Sequence, residues 1–369
     1  MNHRQRLKAV LRHEPVDRVV DYEFGMWQQT HERWIQEGLP KAALGENGDP
    51  ISRYFQTDER REPGISLGRL ADLKPGFEEK ILKQKGDHLI VQDKIGVIYE
   101  KLRPELGASI PKYLKFPIEN RNDWEQFRDN HLNPATPGRL PADIDAAVAK
   151  AKNCSGPVSV YCGSLYGRLR NYMGVENLSY ALYDKPEWIE EILEHITSLV
   201  LLGLDKLAGK VEIDIATWWE DMCYKNGPLV SPEWVHRHMT PRYKKITSFL
   251  KDNCNCFLNI VDCDGNIHPL VDEWLEGGVN CMFPLEAAHT DVFKIYNTYG
   301  KKVGLRGAFD KRALIKGPAA IDAEFERLRP LIDKKCIIPH IDHLVPPDVS
   351  FKNYRYYRER KLEIIGKMQ

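Results

Sequence analysis

From Pro157 onward, short β-like runs alternate with longer stretches of helical periodicity, and most of the runs are followed by polar or glycine residues. The runs fall at 158–162, 213–218, 257–261, 279–283, 302–305 and 336–339, with helical segments at 186–208, 232–250, 269–276, 290–299 and 310–331. A helix between two strands carries the chain back across the sheet, so this alternation dictates parallel pairing. A doubly wound sheet built for a dinucleotide would carry G-x-G-x-x-G after a strand, and no run is followed by one. Polar residues gathered behind successive strands instead match the mouth of a (β/α)8 TIM barrel, the end at which that fold builds its sites. A further run at 19–22 makes a seventh strand, and the eighth is expected within 63–73.

The 369 residues show no internal repeat, low-complexity tract or proline-glycine linker, so a single barrel domain over 1–369 is expected, with an N-terminal extension. Texture changes over 54–117, where runs at 88–91 and 95–99 flank Asp93-Lys94 as a β-hairpin insertion. Lysine plus arginine total 53 and aspartate plus glutamate total 53, which leaves no basic excess to neutralise phosphates and excludes nucleic acid as a partner. The N-terminus carries a charge every few residues, and no apolar run approaches the roughly 20 residues of a membrane span. With eight dispersed cysteines, better read as reduced thiols than as a disulfide framework, the expectation is a cytoplasmic protein.

No phosphate loop, H-E-x-x-H pair or G-x-S-x-G elbow is present, so kinase and serine-hydrolase chemistry lapse. What remains is a set of carboxylates and histidines just behind strands. Asp262 and Asp264 lie at i and i+2 after an apolar run, and period-two geometry points both to one side with Cys263 opposite. Two converging carboxylates need a metal, a cationic group or a shared proton to relieve them; the plainer alternative is a turn over Asp264-Gly265-Asn266. Glu220 and Asp221 follow Trp218-Trp219, which offers acids beside an aromatic platform, although tryptophans commonly fill cores. His340, Asp342 and His343 follow the last run, where an imidazole can ligate a metal or move a proton near neutral pH. Arg306 and His289 sit behind two other strands on the same expected rim. Cys254, Cys256 and Cys263 fit no zinc spacing and read as buried thiols.

The stretch Arg6-Leu7 through Glu14-Pro15-Val16-Asp17-Arg18-Val19, the segment Gly307-Ala308-Phe309-Asp310-Lys311-Arg312, and the tail from Ile338 to Asp348 with Asn353-Tyr354 together resemble the uroporphyrinogen decarboxylase superfamily. The resemblance implies a (β/α)8 barrel and one of two activities, porphyrinogen decarboxylation or corrinoid-linked methyl transfer. True decarboxylases continue after the Pro15–Arg18 match with a glutamine-alanine-glycine-arginine grip on the substrate's carboxylates, whereas this chain runs Tyr22-Glu23-Phe24-Gly25-Met26-Trp27. Where the coenzyme M branch holds zinc through a histidine and cysteines, this chain has Asp262, Asp264 and His343, a harder donor set for a divalent cation such as zinc. The Trp218–Met222 and His340–His343 segments look like those of ether-demethylating members. The resemblance therefore implies a methyltransferase that passes a methyl group from a small methylated substrate, a methyl ether of aromatic type, to the Co(I) corrinoid of a corrinoid-binding partner protein. Glu220, Asp221, Asp262 and His340 are its expected catalytic groups, and Trp218, Trp219, Arg306 and His289 its substrate contacts. A homodimer is the expected assembly. The alternatives are decarboxylation and a barrel without catalysis that serves as an interaction protein.

Overall fold

The computed structural model describes residues 1–41, 50–103 and 111–367. Seven strands, β1 (Ile65–Arg69), β2 (Val158–Gly163), β3 (Ile215–Trp219), β4 (Leu258–Asp262), β5 (Cys281–Leu285), β6 (Gly304–Phe309) and β7 (Ile338–Ile341), form one sheet in chain order. Every adjacent pair is parallel. Strands β5, β6 and β7 are buried along their whole length, as a parallel sheet covered on both faces requires.

Helices cover the outside. Pro186–Asp205 opens with proline in its first turn, Val292–Tyr299 is capped by Asp291, and Phe351–Ile364 is capped by the Ser350 hydroxyl. The helical stretch expected over 310–331 is two helices, Lys311–Lys316 and Pro318–Asp333, because Gly317 turns the chain at φ +97° between them. The one expected over 232–250 likewise divides into Pro232–His238 and Thr240–Cys254, where Pro241 cannot donate to the preceding turn. Among the described residues no helix is long and apolar enough to cross a membrane, and all eight cysteines are free.

The eighth strand sought within 63–73 is β1, whereas 19–22 is not part of the sheet. Residues 19–24 nevertheless behave as a strand in their side chains. Tyr22 and Phe24 turn toward His340 of β7, with ring centroids 5.1 and 6.3 Å away, while Asp21 and Glu23 turn outward to the last helix. There Arg358 donates to Asp21 at 2.7 Å and to Glu23 at 2.6 Å, and Lys361 reaches Glu23 at 2.6 Å. The backbone joins the far end of β7 through a parallel bridge between Met26 and Val345. A buried ionic lattice thus does for this segment what a hydrogen-bonded ladder does for the others.

A separate antiparallel sheet contains Lys80–Lys85, His88–Gln92, Ile98–Leu102 and Lys112–Lys115. The expected hairpin is its middle pair. The second arm starts later than the sequence suggests because Asp93 accepts from the amides of Ile95 and Val97, which turns those residues into the loop. Since 54–117 also contains β1, only its later part stands outside the barrel; residues 104–110 of that range lie outside the described residues.

Candidate active site

The C-terminal ends of β3 to β7 bring together side chains that lie more than 120 residues apart in sequence. Asp262 ends β4 in register with Trp219 of β3 and Phe283 of β5, so the three share a face. That face is the interior: Phe283 meets Phe24 at 4.7 Å and His340 at 5.5 Å. Arg306 of β6 lies over Tyr22 at 4.3 Å and over Phe283 at 4.7 Å. It is only 8% exposed and its Nε has no partner, so a buried cation stands over aromatic faces without an ion-pair partner among the described residues.

Asp262 is the acid of this interior. Burial first, then the nearby charges of Asp264 and Asp221, push its pKa up to about 7, against the opposing pull of His343 and Arg306. Among the described residues no donor hydrogen-bonds its carboxylate, which leaves it available to a ligand. Asp264 stands beside it and pairs with His343 Nε2 at 3.3 Å; that contact raises the histidine's pKa. The turn carrying both aspartates is held by Glu286, which accepts from Gly265 N at 2.8 Å and pairs with Lys311 at 3.2 Å. Gly265 sits at φ +83°, and a Cβ there would meet the Tyr224 carbonyl at 2.8 Å, so the turn requires glycine.

His340 is fully buried, and its Nδ1 donates to the Ile341 carbonyl at 2.7 Å. That bond leaves Nε2 as an unprotonated acceptor with no partner among the described residues, and burial beside Arg306 holds the ring's pKa well below the ordinary histidine value.

Other expected site residues lie elsewhere. Glu220 is 0% exposed and turns away from the interior. Its carboxylate accepts from Leu165 N at 2.9 Å, Tyr166 N at 2.8 Å, Gly167 N at 3.2 Å, Ser164 Oγ at 2.9 Å and Tyr243 OH at 2.6 Å. With five donors it anchors the loop behind β2 and has no lone pair to offer a substrate. Trp218 points outward by strand alternation and packs edge-on against Tyr243 at 5.1 Å, so it belongs to the core. His289 is exposed on the outer rim, in a groove shared with Asp310, Glu324 and Arg327. Asp221, at φ +39°, pairs with Arg170 at 2.7 Å on the lip of the mouth. Asp262 does not join Asp264 and His343 in a three-ligand cage. Among the described residues, the only such trio with ligand atoms within 4.8 Å of one another is His236, Glu273 and Glu276, on the outer surface.

The structure adds residues that the sequence did not single out. Arg168 and Arg170 follow β2 and lie 5.1 and 5.4 Å from the Trp219 ring, and Arg69 at the end of β1 lies 4.0 Å over Tyr161. Their signal was position alone, since 163–170 follows a strand as the other groups do. Asp342, which the sequence groups with His340 and His343, is 1% exposed, accepts from the amides of Ala287 and Lys311 and ties three rim loops together; burial raises its pKa to about 6.

The family described as uroporphyrinogen decarboxylase (URO-D) matches residues 92–360, well over half of the chain. No curated protein matches significantly in sequence. Among solved structures, a methyltransferase from Methanosarcina mazei is similar at 15% identity and a TM-score of 0.58, covering 98% of this chain and 99% of that one. A B12-independent methionine synthase from Shewanella sp. W3-18-1, in complex with selenomethionine, is similar at 12% identity and a TM-score of 0.40, with 94% of each chain covered. The likeness to the methyltransferase bears on fold alone, and the family match takes in β2 through β7 with every residue of the interior acid cluster. The chain belongs to the uroporphyrinogen decarboxylase family.

Proposed function

We propose that this chain transfers a methyl group from a small methylated substrate, a methyl ether of aromatic type, to the Co(I) corrinoid of a partner protein. The observation that carries the reading is Asp262, a carboxyl group with no donor among the described residues in an aromatic-lined interior, whose pKa burial pushes up to about 7. A Co(I) corrinoid is itself the nucleophile, so the chain's task is the leaving oxygen. A bound corrinoid would supply the electron pair for the new bond to the methyl carbon as the carbon–oxygen bond breaks. The oxygen takes the bonding pair and the Asp262 proton and leaves as a neutral hydroxyl. Arg306 faces the charge that develops on that oxygen, in a setting where water screens it little. His340 Nε2 offers an acceptor that orients the product hydroxyl.

The pairing of Asp264 with His343 gives this centre two ligands for a divalent cation and leaves Asp262 outside. The proton-donor form of the reaction is the one we carry forward. Incubating the protein with a reduced corrinoid protein and a panel of methyl ethers tests the reading. One or more ethers are expected to methylate the corrinoid, and Asp262→Asn is expected to slow transfer about 10²–10⁴-fold. No transfer from any ether, or an unaffected Asp262→Asn variant, would refute it.

A further inference from the structure

The lip of the mouth beside Trp219 holds three arginines, Arg69, Arg168 and Arg170, and two carboxylates, Asp72 and Asp221. Arg69 pairs with Asp72, and Arg170 pairs with Asp221 at 2.7 Å. Among the described residues the only carboxylate paired with Arg168 is Asp72, at the long distance of 3.9 Å, and Arg69 already engages it. Glu220 lies beneath but is occupied by its five donors. The guanidinium of Arg168 is positioned by the Tyr161 hydroxyl at 3.2 Å and lies 5.9 Å from the Tyr161 ring and 5.1 Å from the Trp219 ring. Its side chain is 25% exposed, enough to meet a ligand from the mouth. Three arginines facing two carboxylates leave one positive charge in excess, and a guanidinium beside aromatic rings is the arrangement that recognises a single carboxylate.

Trp219 is the register partner of Asp262, so the indole stands between the arginine lip and the interior acid. A molecule that reached both would cross β3, roughly two strand spacings or about 10 Å, with Trp219 beneath it and Phe283 on the far side of Asp262.

We infer that the substrate is an aryl carboxylate, bound with its carboxylate on Arg168 at the lip and its ring over Trp219, so that its far substituent reaches Asp262 and Arg306. The inference rests on the mouth being the substrate site. It does not need the methyl transfer step, and its test contains neither a methyl group nor a corrinoid.

Calorimetric titration of the whole chain with benzoate and with its uncharged isostere benzamide tests it. Benzoate is expected to bind at least tenfold more tightly than benzamide, with a preference that shrinks as salt is raised. Arg168→Gln should abolish the preference by weakening benzoate alone, and Arg168→Lys should restore part of it, with circular dichroism confirming that both variants fold. Equal binding of the two probes, binding of neither, or a preference that survives in folded Arg168→Gln would overturn the inference. A benzoate preference without methyl transfer from any ether would keep the carboxylate site and discard the proposed reaction.

Discussion

Asp262 combines two properties that pull against each other: its burial disfavours charge, and its neighbours Asp264 and Asp221 disfavour it further. A carboxyl whose pKa rises on folding makes the native state bind more protons than the unfolded state. Stability from this group is therefore full below the ordinary aspartate pKa near 4 and declines as pH rises toward about 7. Asparagine has the same shape and never carries the charge. Asp262→Asn should therefore melt close to the parent at about pH 4 and clearly above it at pH 8, a comparison that thermal scans at the two pH values would settle; an offset independent of pH would contradict the burial argument. In catalysis the sign is matched, because the proton donor is lost above about pH 7 and the parent rate should fall there. At this scale the sequence told much. Strand-end position pointed to Asp262, and alternation correctly set Cys263 apart, since its thiol is buried. Alternation could not choose between Trp218 and Trp219, or aim Glu220, because the direction of a residue just beyond a strand depends on the loop it meets.

Two elements owe their placement to buried charge rather than to the ladder. The loop behind β2 and the helix Gly167–Met173 are pinned by Glu220 through three backbone amides and two hydroxyls. Truncation in Glu220→Ala leaves those donors facing an apolar hole and should cost about 3 kcal/mol or more in urea unfolding, most of it unfulfilled hydrogen bonding. Because Arg168 lies on that helix, the same variant should weaken benzoate binding as well. The segment 19–24 depends on the last helix in the same way. Arg358 is 1% exposed, and replacing it with methionine would leave Asp21 and Glu23 to Lys361 and Lys367. We expect a loss of about 3 kcal/mol, at the low end for a broken buried pair because those two lysines remain. Amide exchange should quicken in residues 20–24 before it does in β4 or β5; uniform exchange would show that the lattice does not hold the seam. Apolar runs marked both strand and seam in the sequence, but Val19-Val20 gave no hint that ion pairs would replace a ladder, since the partners are over 330 residues away.

At the scale of the molecule, the barrel and the four-stranded sheet have separate interiors. Leu89, Val91 and Val97 are buried, yet they stand outside the continuous core that runs from Leu7 to Ile365. The two strands at the edges of the small sheet, Lys80–Lys85 and Lys112–Lys115, are exposed at every position, so they carry none of the barrel's packing. The sheet is joined to the barrel at its root, where Phe77 stacks on His131 with ring centroids 3.9 Å apart and Ile118 N donates to the Tyr172 carbonyl at 3.1 Å. The change of texture over 54–117 in the sequence overlaps this sheet but begins before it, because β1 precedes it. Replacing residues 78–115 by a short glycine-serine link should leave a folded barrel, since Phe77 and Ile118 stay and no interior residue of the mouth is lost. The deletion should lower the melting temperature by a few degrees and keep the benzoate preference set by Arg168. If the shortened chain failed to fold, the small sheet would be part of the barrel's stability; if it folded but lost benzoate binding, the sheet would have to reach over the mouth and shape the site itself.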